Sequence, residues 1–299
     1  MNAPTADSDP LRTPEPMAPE TLVAAWTRTR NALKAAGVSS PVLDARMLVE
    51  AATGVSRLDI VTDPHRPVTE EARARLAALT ARRAAREPLA YILGRREFWT
   101  LTLAVDPAVL CPRPETEAVV EAALAALPPE APARVLDLGV GSGAILLAIL
   151  KDRPAATGVG IDVSPDALAV ARANAAALGL DARLTLQQGS WGEGLLEPFD
   201  VIVANPPYIA TGVIEGLEPE VARHEPRLAL DGGPDGLDAY RRLLPDVARL
   251  LRPGGRFAIE IGRGQDGDVL ALARAAGLDP EAVRPDLGGV GRVVVGRRP

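Results

Sequence analysis

The stretch Phe199-Asp200-Val201-Ile202-Val203-Ala204-Asn205-Pro206-Pro207-Tyr208 joins a short apolar run to a polar tetrapeptide. The apolar run predicts a buried parallel strand, because β-branched side chains suit a pleated surface that is covered on both faces. The tetrapeptide therefore follows the carboxyl end of a strand. In open α/β sheets, ligands bind at that edge, near the point where the strand order reverses.

The tetrapeptide carries the groups needed to hold a planar NH₂ group. The Asn205 side-chain oxygen and the Pro206 carbonyl are acceptors, and neither Pro206 nor Pro207 has an N–H that competes with them. Two acceptors can bind both hydrogens of an amide or an exocyclic amine, and Tyr208 can lie flat against the planar group. The alternative interpretation is a proline-rich turn with a half-buried tyrosine.

A second motif, Asp137-Leu138-Gly139-Val140-Gly141-Ser142-Gly143, follows an earlier apolar run and leads directly into a helical pattern. Glycines at every second position allow a tight turn and the close approach of a ligand to the backbone. Asp162 ends the next predicted strand, where a carboxylate can accept hydrogen bonds from both ribose hydroxyls. The third glycine comes one residue earlier than in dinucleotide sites. The arrangement resembles the S-adenosylmethionine loop of class I methyltransferases.

From Arg134 onward, predicted strands alternate with predicted helices, which indicates an α/β fold with a doubly wound parallel sheet. The predicted strands are 134–138, 157–161, 183–187, 199–204, 256–261 and 292–295. The predicted helices are 144–151, 165–179 and 237–251. Pro253-Gly254-Gly255 predicts a turn before the fifth strand.

The chain before this sheet divides into three segments. Residues 1–18 are rich in Pro, Thr and Asp and predict a disordered tail. Residues 19–95 show a helical period throughout, with apolar positions facing inward and the arginines of the third helix facing water. Residues 96–111 alternate like two short strands and predict a β-hairpin linker. The remaining residues, 112–299, form the α/β domain.

The cysteine and histidine content excludes several site classes. Cys111 is the only cysteine, so no intramolecular disulfide forms and a reducing compartment is expected. His65 and His224 have no Cys or His neighbours at ligand spacing, so no metal site is expected. No apolar run has the length of a membrane span, and the amino terminus lacks the order of a signal peptide. We therefore expect a cytoplasmic protein, with a monomer as the default.

The formal charge of the chain is -6 and is unevenly distributed. Residues 20–97 contain 13 Lys/Arg against 9 Asp/Glu, which gives this segment +4 and the rest of the chain -10. The negative charge of the α/β domain argues against binding of long nucleic acid through its phosphates. The weakly basic segment can dock a partner, although solvated helix faces also explain its charge.

Three further stretches extend the resemblance to one family. They are Tyr91 to Trp99, Pro112 to Glu117 and His224 to Leu230. With the glycine loop and Asn205-Pro206-Pro207-Tyr208, they closely resemble the HemK/PrmC family of glutamine-N5 methyltransferases of peptide chain release factors, from about Leu22 to the end. The resemblance implies a class I methyltransferase domain at 112–299 and a substrate-recognition role for 19–95.

The resemblance also implies a cofactor, a substrate and site residues. The cofactor is S-adenosylmethionine, which leaves as S-adenosylhomocysteine, and no metal is involved. The substrate is the glutamine of the Gly-Gly-Gln motif of class 1 release factors. The implied cofactor-binding residues are Gly139, Val140, Gly141, Ser142, Gly143, Asp162, Trp191 and Asn205. The implied catalytic and substrate-binding residues are Asn205, Pro206, Pro207 and Tyr208.

The sequence departs from the family pattern at several positions, and two alternative functions are considered. Val140 and Ser142 stand where the family often has threonines, Ser190 stands where an Asp is common, and the turn 288–292 is unusually rich in glycine. One alternative is an adenine-N6 methyltransferase of DNA or RNA, which needs a flipped base and a basic groove. The other is a non-catalytic module that binds S-adenosylmethionine or NAD and docks a partner.

Overall fold

The computed structural model describes residues 19–286 and 288–299. The predicted disordered tail at 1–18 therefore lies outside the described residues. The chain divides into two compact units, one ending at Arg86 and the other comprising Glu87–Pro299. This division lies earlier in the chain than the predicted end of the helical domain at residue 95. The predicted domain boundaries stay predictions.

The first unit is helical, as the period of its apolar residues predicts. Thr21 and Thr69 cap the first and last helices with their side-chain oxygens, and Ser56 with Asp59 forms a reciprocal capping box. These caps satisfy backbone amides that have no partner inside the helix. The helices are α1 (Leu22–Ala35), α2 (Pro41–Thr53), α3 (Arg57–Thr62) and α4 (Glu70–Ala84).

The core of this unit contains an ion pair that the sequence pattern does not predict. The arginines of α4 were expected to face water, but Arg83 is buried. Its Nε atom lies 2.7 Å from Oδ2 of Asp44 in α2, and the two side chains are only 6% and 7% exposed. Leu43, an apolar residue of α2, is by contrast exposed. The buried face of α2 therefore includes Asp44 and leaves out Leu43.

The second unit begins with α5 (Leu89–Leu93) and a hairpin of β1 (Arg95–Phe98) and β2 (Leu101–Ala104). The predicted hairpin forms, with β1 antiparallel to β2. Trp99 at its turn fixes it to the α/β body: its backbone amide donates to Glu117 Oε1 and its indole N–H donates to Asp152 Oδ2, each at 2.8 Å. Buried Phe98 and Leu101 extend the core of the α/β body.

The α/β body is built on a seven-stranded sheet. The strands are β3 (Ala133–Leu138), β4 (Ala156–Asp162), β5 (Leu184–Gln188), β6 (Phe199–Ala204), β7 (Leu251–Glu260), β8 (Asp279–Pro285) and β9 (Gly291–Arg297). The helices are α6 (Glu117–Ala126), α7 (Ala144–Asp152), α8 (Pro165–Ala177), α9 (Pro219–His224), α10 (Asp238–Leu250) and α11 (Asp266–Ala275). The strand order is β5-β4-β3-β6-β7-β9-β8.

The sheet differs from the predicted one at its far edge. The strand predicted at 292–295 forms as β9, but it runs antiparallel to β7 rather than parallel. β8 was not predicted, because its proline-containing and mostly exposed residues lack an apolar alternation. Pro253-Gly254-Gly255 lies inside β7, where the pairing with β6 shifts register. The predicted turn is therefore an irregularity within a strand.

The strand order decides where a ligand can bind. β4 and β5 extend the sheet from one side of β3, whereas β6 pairs with the other side of β3. The order thus reverses between β3 and β6, and a crevice lies outside the carboxyl ends of these strands. The glycine loop follows β3 and the tetrapeptide follows β6. The topology brings the two predicted motifs together.

Candidate active site

A cavity of about 530 Å³ lies at the carboxyl ends of β3, β4 and β6. Its wall contains eight of the eleven predicted site residues: Gly139, Val140, Gly141, Ser142, Asp162, Trp191, Asn205 and Pro207. Gly143, Pro206 and Tyr208 are not part of the wall. These three predicted residues therefore lie next to residues of the cavity wall in the chain without lining the cavity themselves.

The glycine loop is held in a conformation that favours glycine. Gly139, Gly141 and Gly143 have φ angles of +83°, +53° and +85°, a region that other L-residues rarely adopt. A Cβ atom at Gly141 would meet no heavy atom within 4 Å. The glycine at this position is therefore required by the backbone conformation, and it leaves open space toward the cavity.

Asp162 fixes this loop to the end of β4. Its Oδ2 atom accepts a hydrogen bond from the Gly141 amide at 2.9 Å, and its Oδ1 atom accepts one from the Ser164 amide at 2.9 Å. Ser164 in turn caps α8 through Ala167. Because a carboxylate oxygen can accept more than one hydrogen bond, Asp162 keeps acceptor capacity for ribose hydroxyls.

Two further residues border the loop. Trp191 has a φ angle of +49°, and a Cβ atom at Gly139 would lie 3.9 Å from its Cζ3 atom. Its ring thus lies beside the loop, in the cavity wall. Buried Asn174 donates from Nδ2 to the carbonyls of Ser142 and Ala104, at 2.9 and 3.0 Å. It ties the loop to the hairpin.

Asp137 is a buried acid directly before the loop. Burial raises its pKa to about 8, the charge of Asp162 adds to the rise, and the Leu146 amide opposes it. Neither carboxyl oxygen has a hydrogen-bond partner of ordinary geometry among the described residues. Buried polar groups in proteins are normally paired. The unpaired carboxyl group of Asp137, next to the glycine loop, fits a site in which a bound polar cofactor supplies the missing hydrogen-bond partners.

Arg113 and Glu225 join two stretches that lie 112 residues apart. Both Glu225 oxygens accept from Arg113 Nη2 at 2.7 Å. Burial raises the pKa of Glu225, and the Arg113 guanidinium opposes that rise. Arg113 also lines the cavity. The pair therefore holds the segment around Glu225 against the cavity wall.

In the tetrapeptide, the two acceptors that the sequence predicted have no protein partner among the described residues. Asn205 Nδ2 donates to Thr116 Oγ1 at 3.1 Å, so Oδ1 points away from Thr116. No hydrogen bond within residues 19–286 and 288–299 uses Asn205 Oδ1 or the Pro206 carbonyl. The Tyr208 carbonyl, by contrast, accepts from Gln265 Nε2 at 3.1 Å. Asn205 Oδ1 and the Pro206 carbonyl are the acceptors that the sequence predicted.

Tyr208 does not line the cavity, and its hydroxyl is held by a buried carboxyl group of β7. Its hydroxyl donates to Glu260 Oε1 at 3.2 Å. Burial first, and the Glu260 charge second, raise the pKa of Tyr208, so the phenol stays protonated. A Cβ atom at Gly236 would lie 2.4 Å from the Tyr208 carbonyl oxygen. The segment around Gly236 therefore packs directly on the tetrapeptide.

Comparison with known proteins agrees with this geometry. A protein-family model described as PrmC N-terminal domain matches residues 24–94, and a second family model, described as methyltransferase domain, matches residues 130–275. The release factor glutamine methyltransferase of Caulobacter vibrioides is 54% identical over 277 residues, covering 92% of this chain and 96% of that protein. The chain belongs to the release factor glutamine methyltransferase family. The resemblance predicted from the sequence is confirmed.

Other relatives of this methyltransferase family extend the comparison. The release factor glutamine methyltransferase of Rhodospirillum rubrum is 49% identical over 266 residues, covering 89% of this chain and 82% of that protein. Among solved structures, the ribosomal protein L11 methylase of Lactobacillus delbrueckii is 19% identical, with a TM-score of 0.48 over 65% of this chain and 84% of that one. The predicted class I methyltransferase fold is also confirmed.

Several residues of the methyltransferase site were not assigned a role from the sequence, among them Thr116, Glu225 and Glu260. The first two lie in stretches that carried the family resemblance. Glu260 had one available signal, since it is an acid at the carboxyl end of an apolar run. A polar residue at that edge of a parallel sheet is a candidate for a site.

No membrane or metal feature emerges from the described part of the chain. None of its helices combines the length and the apolar character that crossing a bilayer requires. Within residues 19–286 and 288–299, no group of three or more His, Cys, Asp or Glu side chains is arranged to hold a metal ion. The predicted absence of a metal stays a prediction.

Substituting Asp162 with Ala should weaken cofactor binding on the order of 100-fold. The substitution removes the acceptors of the Gly141 and Ser164 amides, and hydrogen bonds to a charged group contribute about 1.5–3 kcal/mol each. Calorimetric titration with S-adenosylmethionine measures the dissociation constant. Asp166→Ala, which removes the same charge at an exposed position of α8, the helix that follows β4, is the control. Equal affinities of the two variants would contradict this assignment.

Proposed function

We propose that the chain transfers a methyl group from S-adenosylmethionine to N5 of the glutamine in the Gly-Gly-Gln motif of class 1 peptide chain release factors, and releases S-adenosylhomocysteine. The observation that supports this most directly is that Asn205, in the cavity wall, and the adjacent Pro206 carry two unpartnered acceptors, Asn205 Oδ1 and the Pro206 carbonyl. A primary carboxamide has two N–H donors that match two acceptors.

The described residues fit the cofactor that the family implies. Gly139 to Gly143, Asp162 and Trp191 would hold it, since the loop leaves open space at Gly141 and Asp137 beneath it is unpaired. When bound, S-adenosylmethionine supplies a methyl group on a positively charged sulfur, which is the electrophile. The remaining chemistry is the positioning of the nucleophile by this chain.

An amide nitrogen is a poor nucleophile, because its lone pair is delocalised into the carbonyl. Asn205 Oδ1 and the Pro206 carbonyl would hold both amide hydrogens and direct the nitrogen toward the cavity. This combines positioning with electrostatic stabilisation. An alkylated amide nitrogen is acidic enough to lose its proton to water, so the protein needs no strong base.

We also propose that the helical unit contributes to binding of the release factor. Several of its apolar side chains are exposed: Val42, Leu43, Leu58 and Val61. Such side chains, together with the net positive charge of residues 20–97, suit a protein partner. A cytoplasmic location and a monomeric state complete the proposal.

The two alternatives have less support. An adenine-N6 methyltransferase needs a basic surface for nucleic acid, whereas the chain outside residues 20–97 carries -10. A non-catalytic module has no need of two unpartnered acceptors next to the cofactor loop. The family to which the chain belongs does not favour either alternative.

The test is an incubation of the full chain with S-adenosylmethionine and a class 1 release factor, followed by mass spectrometry of the peptide that contains Gly-Gly-Gln. One added methyl group on the glutamine is expected. A release factor with Asn in place of that glutamine is the matched control, because its shorter amide cannot reach the same acceptors. Methyl transfer to duplex DNA, or to neither substrate, would overturn the proposal.

A further inference from the structure

A single buried carboxyl group supports both ends of the tetrapeptide. Glu260, at the end of β7, is 1% exposed. Its Oε1 atom accepts from the Tyr208 hydroxyl at 3.2 Å. Thr116 lies close enough to Glu260 to lower the pKa of that carboxyl, and the Thr116 oxygen accepts from Asn205 Nδ2 at 3.1 Å. Glu260 therefore contacts Tyr208 directly and reaches Asn205 through Thr116.

The Thr116 hydroxyl decides which way the Asn205 amide faces. A hydroxyl has one proton to donate. If this proton goes to Glu260, the Thr116 oxygen is free to accept from the Asn205 NH₂ group, and Asn205 Oδ1 is left for another donor. If the proton goes to Asn205 Oδ1 instead, the amide must turn. The NH₂ group of Asn205 then faces the cavity.

We propose that Glu260 is the positioning residue of this methyltransferase: its ionised form takes the Thr116 hydroxyl proton as a hydrogen-bond donor and so orients the Asn205 oxygen toward the substrate amide. The inference rests on the proposed function, because the orientation matters only for a substrate that presents N–H groups. Glu260 Oε2 has no hydrogen-bond partner of ordinary geometry among the described residues, and we assign it as the atom that accepts from Thr116.

The protonated form of Glu260 has the opposite effect. A carboxylic acid can donate its proton to Thr116 Oγ1, which frees the Thr116 hydroxyl to donate to Asn205 Oδ1. The NH₂ group of Asn205 would then meet the NH₂ group of the substrate, and both donors would lack acceptors. Leaving buried donors unpaired is unfavourable. The protein with protonated Glu260 should therefore be nearly inactive.

The surroundings of Glu260 place its ionisation in the neutral range. Burial raises its pKa to about 7, although hydrogen bonds from Thr116 and Tyr208 and the charge of Arg292 oppose the rise. Glu115 adds a smaller increase, and the Tyr240 hydroxyl donates to the Glu260 backbone carbonyl, at 3.0 Å, rather than to its carboxyl group. Since an acid ionises as the pH rises through its pKa, activity should rise with pH across this range.

The kinetic test measures kcat for release factor methylation between pH 6 and pH 8. For one ionisation near pH 7, the ionised fraction, and hence kcat, rises about tenfold over this range. Glu260→Gln and Thr116→Val should both lower kcat and abolish the rise, with a smaller change in KM. Thr116→Ser, which retains the hydroxyl, should restore the rise. A Glu260→Gln variant that keeps the tenfold rise would overturn the proposal.

A control separates this group from the histidines, which as a residue type titrate in the same range. The double variant His65→Gln/His224→Gln should keep the tenfold ratio of kcat between pH 8 and pH 6. Loss of the rise in this variant would assign the pH dependence to a histidine and overturn the role of Glu260.

The orientation of Asn205 can also be measured without substrate or turnover. The chain has four asparagines, Asn2, Asn31, Asn174 and Asn205, so ¹⁵N-asparagine labelling gives only four side-chain NH₂ groups. The Asn205 signals, assigned by their loss in Asn205→Asp, should shift between pH 6 and pH 8 in the wild type and not in Glu260→Gln. Signals that do not shift in the wild type would overturn the proposal even if methyl transfer is observed.

Discussion

Asn205→Ala is expected to lower kcat for release factor methylation by about 10²–10³-fold, the loss typical of removing one preorganised hydrogen-bonding group from an active site. The substitution removes one of the two proposed acceptors, Asn205 Oδ1, and leaves the Pro206 carbonyl as the only one of the pair for the substrate amide. The affinity for S-adenosylmethionine should stay within about threefold of the wild type, because the glycine loop and Asp162 are unchanged.

The two quantities need separate measurements. Single-turnover methyl transfer gives the rate, and calorimetry gives the affinity for S-adenosylmethionine. Asn31→Ala, in the helical unit, is the matched control for the loss of an amide and should behave as the wild type. If Asn205→Ala retained a near-normal rate, the tetrapeptide would not hold the substrate amide, and the proposed mechanism would fail.

Arg83→Ala should lower the free energy of unfolding of the helical unit by about 3–5 kcal/mol, because removing one partner leaves the buried Asp44 carboxylate without a compensating charge. The effect is larger than that of a typical surface substitution because Asp44 is buried. Hydrogen exchange of the amides of α2 and α4 in the full chain measures the change locally.

Two further variants give this prediction its controls. Arg75→Ala removes the same side chain from an exposed position of α4, and its effect should stay within about 0.5 kcal/mol. The double variant Asp44→Leu/Arg83→Met replaces the pair with apolar side chains and should cost less than Arg83→Ala alone. Equal exchange rates in Arg83→Ala and Arg75→Ala would show that the ion pair does not stabilise the unit.

The parts of the fold that the sequence predicted are those with a local cause. The glycines at 139, 141 and 143 predict a loop because of their own backbone freedom, and all three adopt positive φ angles. The apolar run at 199–204 predicts a strand, and a strand forms there. β8 and the direction of β9 were not predicted, because pairing between distant strands decides them.

In the site, too, features with a local cause were predicted and contacts between distant segments were not. The acceptors of the tetrapeptide were predicted from residue types alone. The long-range contacts around them were not predicted: Thr116, which accepts from Asn205 Nδ2, lies 89 residues from Asn205, and Arg113 lies 112 residues from its partner Glu225. Nothing in the local sequence indicates that Arg83 is buried while other arginines of the same helix are exposed.

The sequence by itself determined the family, the strand and helix order, and the two motifs that form the site, since these follow from backbone preferences and from the chemistry of adjacent residues. Only the tertiary structure decided which acceptors remain unpaired and that Glu260 lies buried beneath Tyr208. Burial and pairing depend on contacts between segments far apart in the chain. These contacts determine whether an ordinary carboxyl group is ionised at neutral pH.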